Sequence, residues 1–145
     1  MEELRPVIDE QLRQGKDVTF RIKGNSMFPF LHSGKTDVTL TSAPKGCLRN
    51  DVILFQTDGG KYIMHRIVRV EQGYYITMGD GLVSKEKAAA DQVVGVMKSF
   101  SYKGKVRSVE NRSYRFSVCL WNLLRPFRSI ILGLHRRLFR SYYHE

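Results

Sequence analysis

The feature that most constrains this chain is a change of hydrophobic period just after Gly15. Before it, Leu4, Ile8 and Leu12 stand four residues apart, one stripe of a short helix over Glu2 to Gln14 that Gly15 would stop. Beyond it the period falls to two. Val18, Phe20 and Ile22 alternate with polar neighbours, as do Val38 and Leu40. The segments Val52 to Phe55, Tyr62 to Val70, Tyr74 to Thr77 and Val93 to Phe100 are rich in β-branched and aromatic residues. Turn signals separate them: Ser33-Gly34, Pro44 to Gly46, Asp58-Gly59-Gly60, Gln72-Gly73 and Gly79 to Gly81. Five or six short strands at this spacing predict a mainly β fold, a small antiparallel barrel or folded sheet, with a turn or helix at Lys85 to Ala90.

Length and charge divide the chain. Its 145 residues, 42% of them apolar, suffice for one core. The net charge of +10 is unevenly spread: residues 1–102 hold 14 Lys/Arg against 12 Asp/Glu, and residues 103–145 hold 10 against 2. A nearly neutral domain (1–102) with a cationic tail (103–145) is the expected organisation. Cys47 and Cys119 lack zinc or disulfide spacing, and no nucleotide, metal or cofactor motif is visible.

The chemistry concentrates in Lys23-Gly24-Asn25-Ser26-Met27-Phe28-Pro29, a serine presented between a glycine and a proline-restricted turn. Serine needs a base within hydrogen-bond reach to become a nucleophile. His65 is the candidate, on a strand where Ile63, Ile67 and Arg69 would share its face. Either residue alone has an ordinary reading, a turn-capping serine or a half-buried histidine. In order, however, Gly24 to Pro29, Asn50 to Phe55, His65-Arg66-Ile67-Val68 and Gly79-Asp80-Gly81 resemble the boxes of the signal peptidase superfamily, over roughly Phe20 to Phe100. That superfamily comprises type I signal peptidases and self-cleaving repressor proteases. Histidine before Arg-Ile resembles its Ser/His branch, found in the endoplasmic reticulum, archaea and some Gram-positive bacteria.

The resemblance implies a serine endopeptidase with the signal-peptidase fold. Ser26 would attack a peptide carbonyl, and His65 would act as general base and then acid. Backbone N–H groups near Ser26 would hold the oxyanion, with Gly24 where many relatives carry a hydroxyl and Asn25 as a substitute. Asp80 would orient the imidazole or fix the loop beside it. The third member of a triad stays open among Asp80, Glu86 and Asp91. The expected partner is an extended segment of a peptide or protein precursor, with no cofactor or metal. A self-cleaving repressor is disfavoured by the short stretch before Ser26 and the absence of a lysine base.

The tail predicts an amphipathic helix with Phe116, Leu120, Leu123, Phe127, Ile130, Leu134 and Leu138 on one stripe, Arg115, Arg125, Arg128, Arg136 and Arg140 largely elsewhere, and a kink at Pro126. Such a helix suits a membrane interface. It could instead pack its stripe on the front domain and leave its arginines in water. Nucleic acid is the weakest reading, resting on Tyr102, Tyr114, Tyr142 and Tyr143 among the arginines. Arg125 and Arg128 would each cost about 2.5–3.5 kcal/mol near mid-bilayer, which disfavours a conventional span. With no secretory signal at Met1 to Glu10, the expected location is a membrane surface reached without cleavage, otherwise the cytoplasm. The alternative function is a non-catalytic module that uses its basic tail on anionic membrane or nucleic acid; the oligomeric state is open.

Overall fold

The computed structural model describes residues 5–43 and 45–138. Leu4, Pro44, Arg140, Tyr142 and Tyr143, singled out above, lie outside them. The protein is mainly β. Helix α1 (Arg5–Arg13) is followed by β1 (Val18–Arg21), β2 (Thr36–Thr41), β3 (Val52–Gln56), β4 (Tyr62–Glu71), β5 (Tyr74–Met78), β6 (Lys85–Ala89), β7 (Val93–Tyr102) and β8 (Lys105–Ser108). Helices α2 (Arg112–Leu123) and α3 (Arg128–Leu138) close the chain, joined by a 3-10 turn at Arg125–Phe127.

All eight strands join one antiparallel sheet in the order β1-β2-β7-β3-β4-β5-β6, with β8 added on β7. The sheet is open: β1 and β6 are its edges, so the expected barrel does not close. Long strand β7 ties it together, pairing with β3 over its first half and with β8 over its last, while β2 runs along its other side. Register shifts interrupt β7 against Leu54/Phe55 early in the strand and against Thr39/Leu40 near the point where it passes from β3 to β8. A third shift, between Ile67 and Arg69 on β4, turns Arg69 away from the face of His65 and Ile67, contrary to strict alternation.

Strand β3 is buried on both faces. On one side Val52, Leu54 and Met64 meet Ile8 and Leu12 of α1, Phe20, Val38, Leu40 and Phe100, and Tyr114 and Val118 of α2. On the other side Ile53, Phe55, Ile67, Tyr75, Ala88 and Cys47 form a smaller cluster.

Two strands escape a reading of hydrophobic pattern. Lys85–Ala89 was expected as a turn or helix, because Lys-Glu-Lys-Ala-Ala has no β-branched residue. It is strand β6 instead, followed by a 3-10 turn at Ala90–Gln92. Pairing with β5 overrides the local preference: Ala88 is fully buried in the smaller cluster, while Lys85 and Lys87 point to solvent, as befits an edge. Strand β8 is exposed at all four positions and has no alternation to detect. It forms because Lys103-Gly104, at φ 52° and 79°, supplies a two-residue hairpin turn with both central residues left-handed. The residues expected as a tail thus begin by extending the sheet.

The tail helices sit on the domain by the face opposite to the expected stripe. Tyr114, Val118 and Leu132 are buried, and Trp121 is half-buried. Arg128 stands off the apolar stripe, as its spacing predicts, but is 2% exposed rather than left in water; its guanidinium lies 5.0 Å from the Trp121 ring and donates to the Leu82 carbonyl at 3.4 Å. The idea that the apolar stripe packs on the domain is therefore reversed. Among the described residues no helix is long and apolar enough to cross a membrane.

Candidate active site

Ser26 lies in the loop between β1 and β2, and His65 on β4. Both line one cleft of about 280 Å³, with Ile22, Gly24, Met27, Leu82 and Glu86 among its other walls. The Ser26 loop is a wound turn with internal bonds: the Phe28 N–H donates to Asn25 O (3.2 Å), and those of Phe30 and Leu31 to Met27 O (3.1 and 3.0 Å). The Gly24 N–H donates to the Ser33 hydroxyl at 2.9 Å, so it is already engaged and is not an oxyanion donor here. The Asn25 Oδ1 is buried without a hydrogen-bond partner, and as an acceptor it cannot hold an oxyanion.

The Gly79-Asp80-Gly81 turn backs this loop. The Gly81 N–H donates to Ser26 O at 2.9 Å, and a methyl group built on Gly79 would overlap that same carbonyl oxygen. At Gly81 a Cβ would stand 2.5 Å from Asn25 O. Glycine is needed at both positions because the serine loop packs directly on this backbone.

Asp80 is buried, but its carboxylate serves Arg66 rather than the imidazole. Arg66 Nε and Nη2 donate to it at 2.9 and 2.8 Å, and both residues are 1% exposed. Arg66 also donates to Asn50 O at 2.8 Å and lies over the rings of Phe30 and Tyr114. Burial alone would lower its pKa, yet the Asp80 charge and hydrogen bonds hold the guanidinium above its ordinary value. The pair pins the glycine turn to β4 one residue from His65. Trp121 of α2 pins it from outside, its indole N–H donating to Asp80 O at 2.9 Å.

Of the three acidic candidates, Glu86 is the one that reaches His65. It pairs with Thr77 across β5 and β6, and Thr77 pairs with Ile67, which puts its side chain on the His65 face of the sheet. Glu86 Oε2 is 3.9 Å from His65 Nδ1, too far for a hydrogen bond and close enough for charge attraction. Nδ1 is buried without a hydrogen-bond partner. Asp91 is exposed in the 3-10 turn after β6.

His65 is 3% exposed, edge-on to Phe55 at 6.4 Å. Burial pushes its pKa below the ordinary imidazole value, against the pull of Glu86 first and Asp80 second. The ring is therefore neutral at pH 7, the form a general base requires. Burial likewise pushes the Cys47 thiol up to about 11, with the Asp51 charge adding to it, so Cys47 is protonated and unreactive. Among the described residues no group of three or more His, Cys, Asp and Glu is placed to hold a metal ion.

Sequence reasoning singled out Ser26, His65, Asp80 and Glu86 but did not foresee the tie from Arg66 to Asp80 or that from Trp121. An arginine and a tryptophan inside otherwise apolar faces were the available signals. The chain matches no protein-family model, and no curated protein matches its sequence.

Proposed function

We propose that the protein is a serine endopeptidase of the signal-peptidase type, acting on an extended segment of a peptide or protein precursor. The reading rests on one observation: the loop serine and the buried, neutral histidine line the same cleft. Ser26 is the nucleophile. His65 takes the hydroxyl proton as Ser26 attacks the scissile carbonyl, and returns it to the leaving amine. Water then releases the acyl group with His65 again as base. Glu86 favours the imidazolium that forms in each step, through charge rather than a hydrogen bond. Backbone N–H groups of the Ser26 loop hold the oxyanion; those of Gly24, Phe28, Phe30 and Leu31 are engaged within the loop. Asp80 fixes the loop by way of Arg66.

The test is cleavage of candidate precursors, beginning with those encoded beside this chain, by the wild type and by Ser26→Ala and His65→Ala. Each substitution should lower kcat at least about a thousandfold. Undiminished cleavage by either variant removes the mechanism. No cleavage by the wild type, with retained binding of the extended segment, favours the non-catalytic module.

A further inference from the structure

The more apolar face of the C-terminal helices points away from the protein. Phe116, Leu120 and Leu123 of α2, Phe127 of the 3-10 turn, and Ile130, Leu134 and Leu138 of α3 are between 48% and 76% exposed. They follow one another at spacings of three and four residues, on both sides of the 3-10 turn. The opposite face is already committed, through Tyr114, Val118, Trp121, Arg128 and Leu132. An ordinary terminal helix buries its apolar stripe, so a fixed outward stripe marks a surface built to be covered.

We infer that this outer face docks on an anionic lipid bilayer. Charge argues for it: residues 103–145 carry 10 Lys/Arg against 2 Asp/Glu, and Arg112 at one end of the row and Arg137 at the other are exposed. Acidic headgroups complement these guanidinium groups while the apolar row enters the acyl boundary. A second copy of the chain does not fit as well. Pairing row to row would bring two arginine-rich segments together, and Glu110, the only acid among residues 103–138, is already bound by Arg115 at 2.7 Å. The break at Arg125–Phe127 also interrupts the straight seam that two packed helices require. Nucleic acid fits less well again, since Tyr114 and Trp121 face the protein rather than solvent and cannot stack on bases.

The docking face and the cleft form one piece. Behind the row, Trp121 bonds Asp80, Arg128 bonds Leu82 on the cleft wall, and the His135 ring lies 4.6 Å from Phe28, two residues after Ser26. A docked protein therefore holds its cleft at a set orientation to the bilayer; this consequence, unlike the docking itself, rests on the peptidase reading.

Full-length protein is sedimented with phosphatidylcholine vesicles with and without phosphatidylserine. The expected result is binding that requires phosphatidylserine and weakens with salt. The triple substitution Leu123→Gln, Ile130→Gln and Leu134→Gln should weaken it about a hundredfold or more. Arg112→Gln with Arg137→Gln should weaken it about tenfold or more. Val106→Gln, an equally exposed apolar position on β8, should leave it unchanged. Thermal unfolding of the triple variant and of Val106→Gln should match the wild type, because those side chains are mostly exposed. Ser26→Ala should bind as the wild type does, so docking is read independently of cleavage. Absent vesicle binding, or binding indifferent to the triple substitution, overturns the inference. So does sedimentation velocity in which the row governs self-association, or a preference for DNA or RNA over vesicles at equal salt.

Discussion

Replacing Asp80 by Asn keeps the shape of the side chain and removes its charge, leaving Arg66 buried without a counter-ion. In the wild type both residues are 1% exposed, and the carboxylate receives bonds of 2.8 and 2.9 Å from two guanidinium nitrogens. Breaking such a pair from one side costs about 3–5 kcal/mol. Small domains have about 5–15 kcal/mol in all, so at least about a fifth of the stability would go. With a urea slope of about 2 kcal/mol/M, the midpoint should fall by roughly 1.5–2.5 M. Trp121, the only tryptophan, donates to the Asp80 carbonyl and reports the transition by fluorescence. The paired substitution Arg66→Met with Asp80→Leu should recover at least about half of the loss, because no lone charge is then left inside. A turn aspartate that only caps its own backbone would cost about 1 kcal/mol at most. An Asp80→Asn midpoint within that margin of the wild type would refute the assignment of Asp80 to Arg66.

Two further outcomes follow from the same geometry. Glu86 raises the His65 pKa against burial, so Glu86→Gln should lower it further and move the acid limb of the cleavage profile to lower pH. In the wild type that limb should already lie below about pH 6.5; a limb unmoved by the substitution would exclude Glu86 as the charge that His65 feels. Gly79→Ala drives a methyl group into Ser26 O, so it should cost about 1–3 kcal/mol in urea unfolding and lower kcat by more than the change in folded fraction explains. A variant with unchanged stability and cleavage would show that the serine loop does not depend on the glycine turn.

Part of this molecule was legible in its residues and part was not. The strands β1 to β5 and β7 follow from alternation and turn signals, because side-chain period and glycine conformation are local properties. The apolar row of α2 and α3 was legible for the same reason, being a matter of spacing by three and four. Its direction was not: which face of an amphipathic helix meets the domain depends on what the domain offers. Here Asp80 O and Leu82 O offered acceptors that drew in Trp121 and Arg128. Strand β6 is not legible because Lys-Glu-Lys-Ala-Ala has no strand preference, nor is β8, because no face of it is buried.

By itself, then, the sequence determined the β class, the order of the chemical boxes and the concentration of charge in the tail. Only the tertiary structure decided that Ser26 and His65 share a cleft, and that Glu86, rather than Asp80 or Asp91, stands nearest the imidazole. It also decided that Asp80 answers to Arg66. Each of these is a contact between strands or loops far apart in the chain. Their pairing is set by register and by the burial of charge, neither of which a single segment carries.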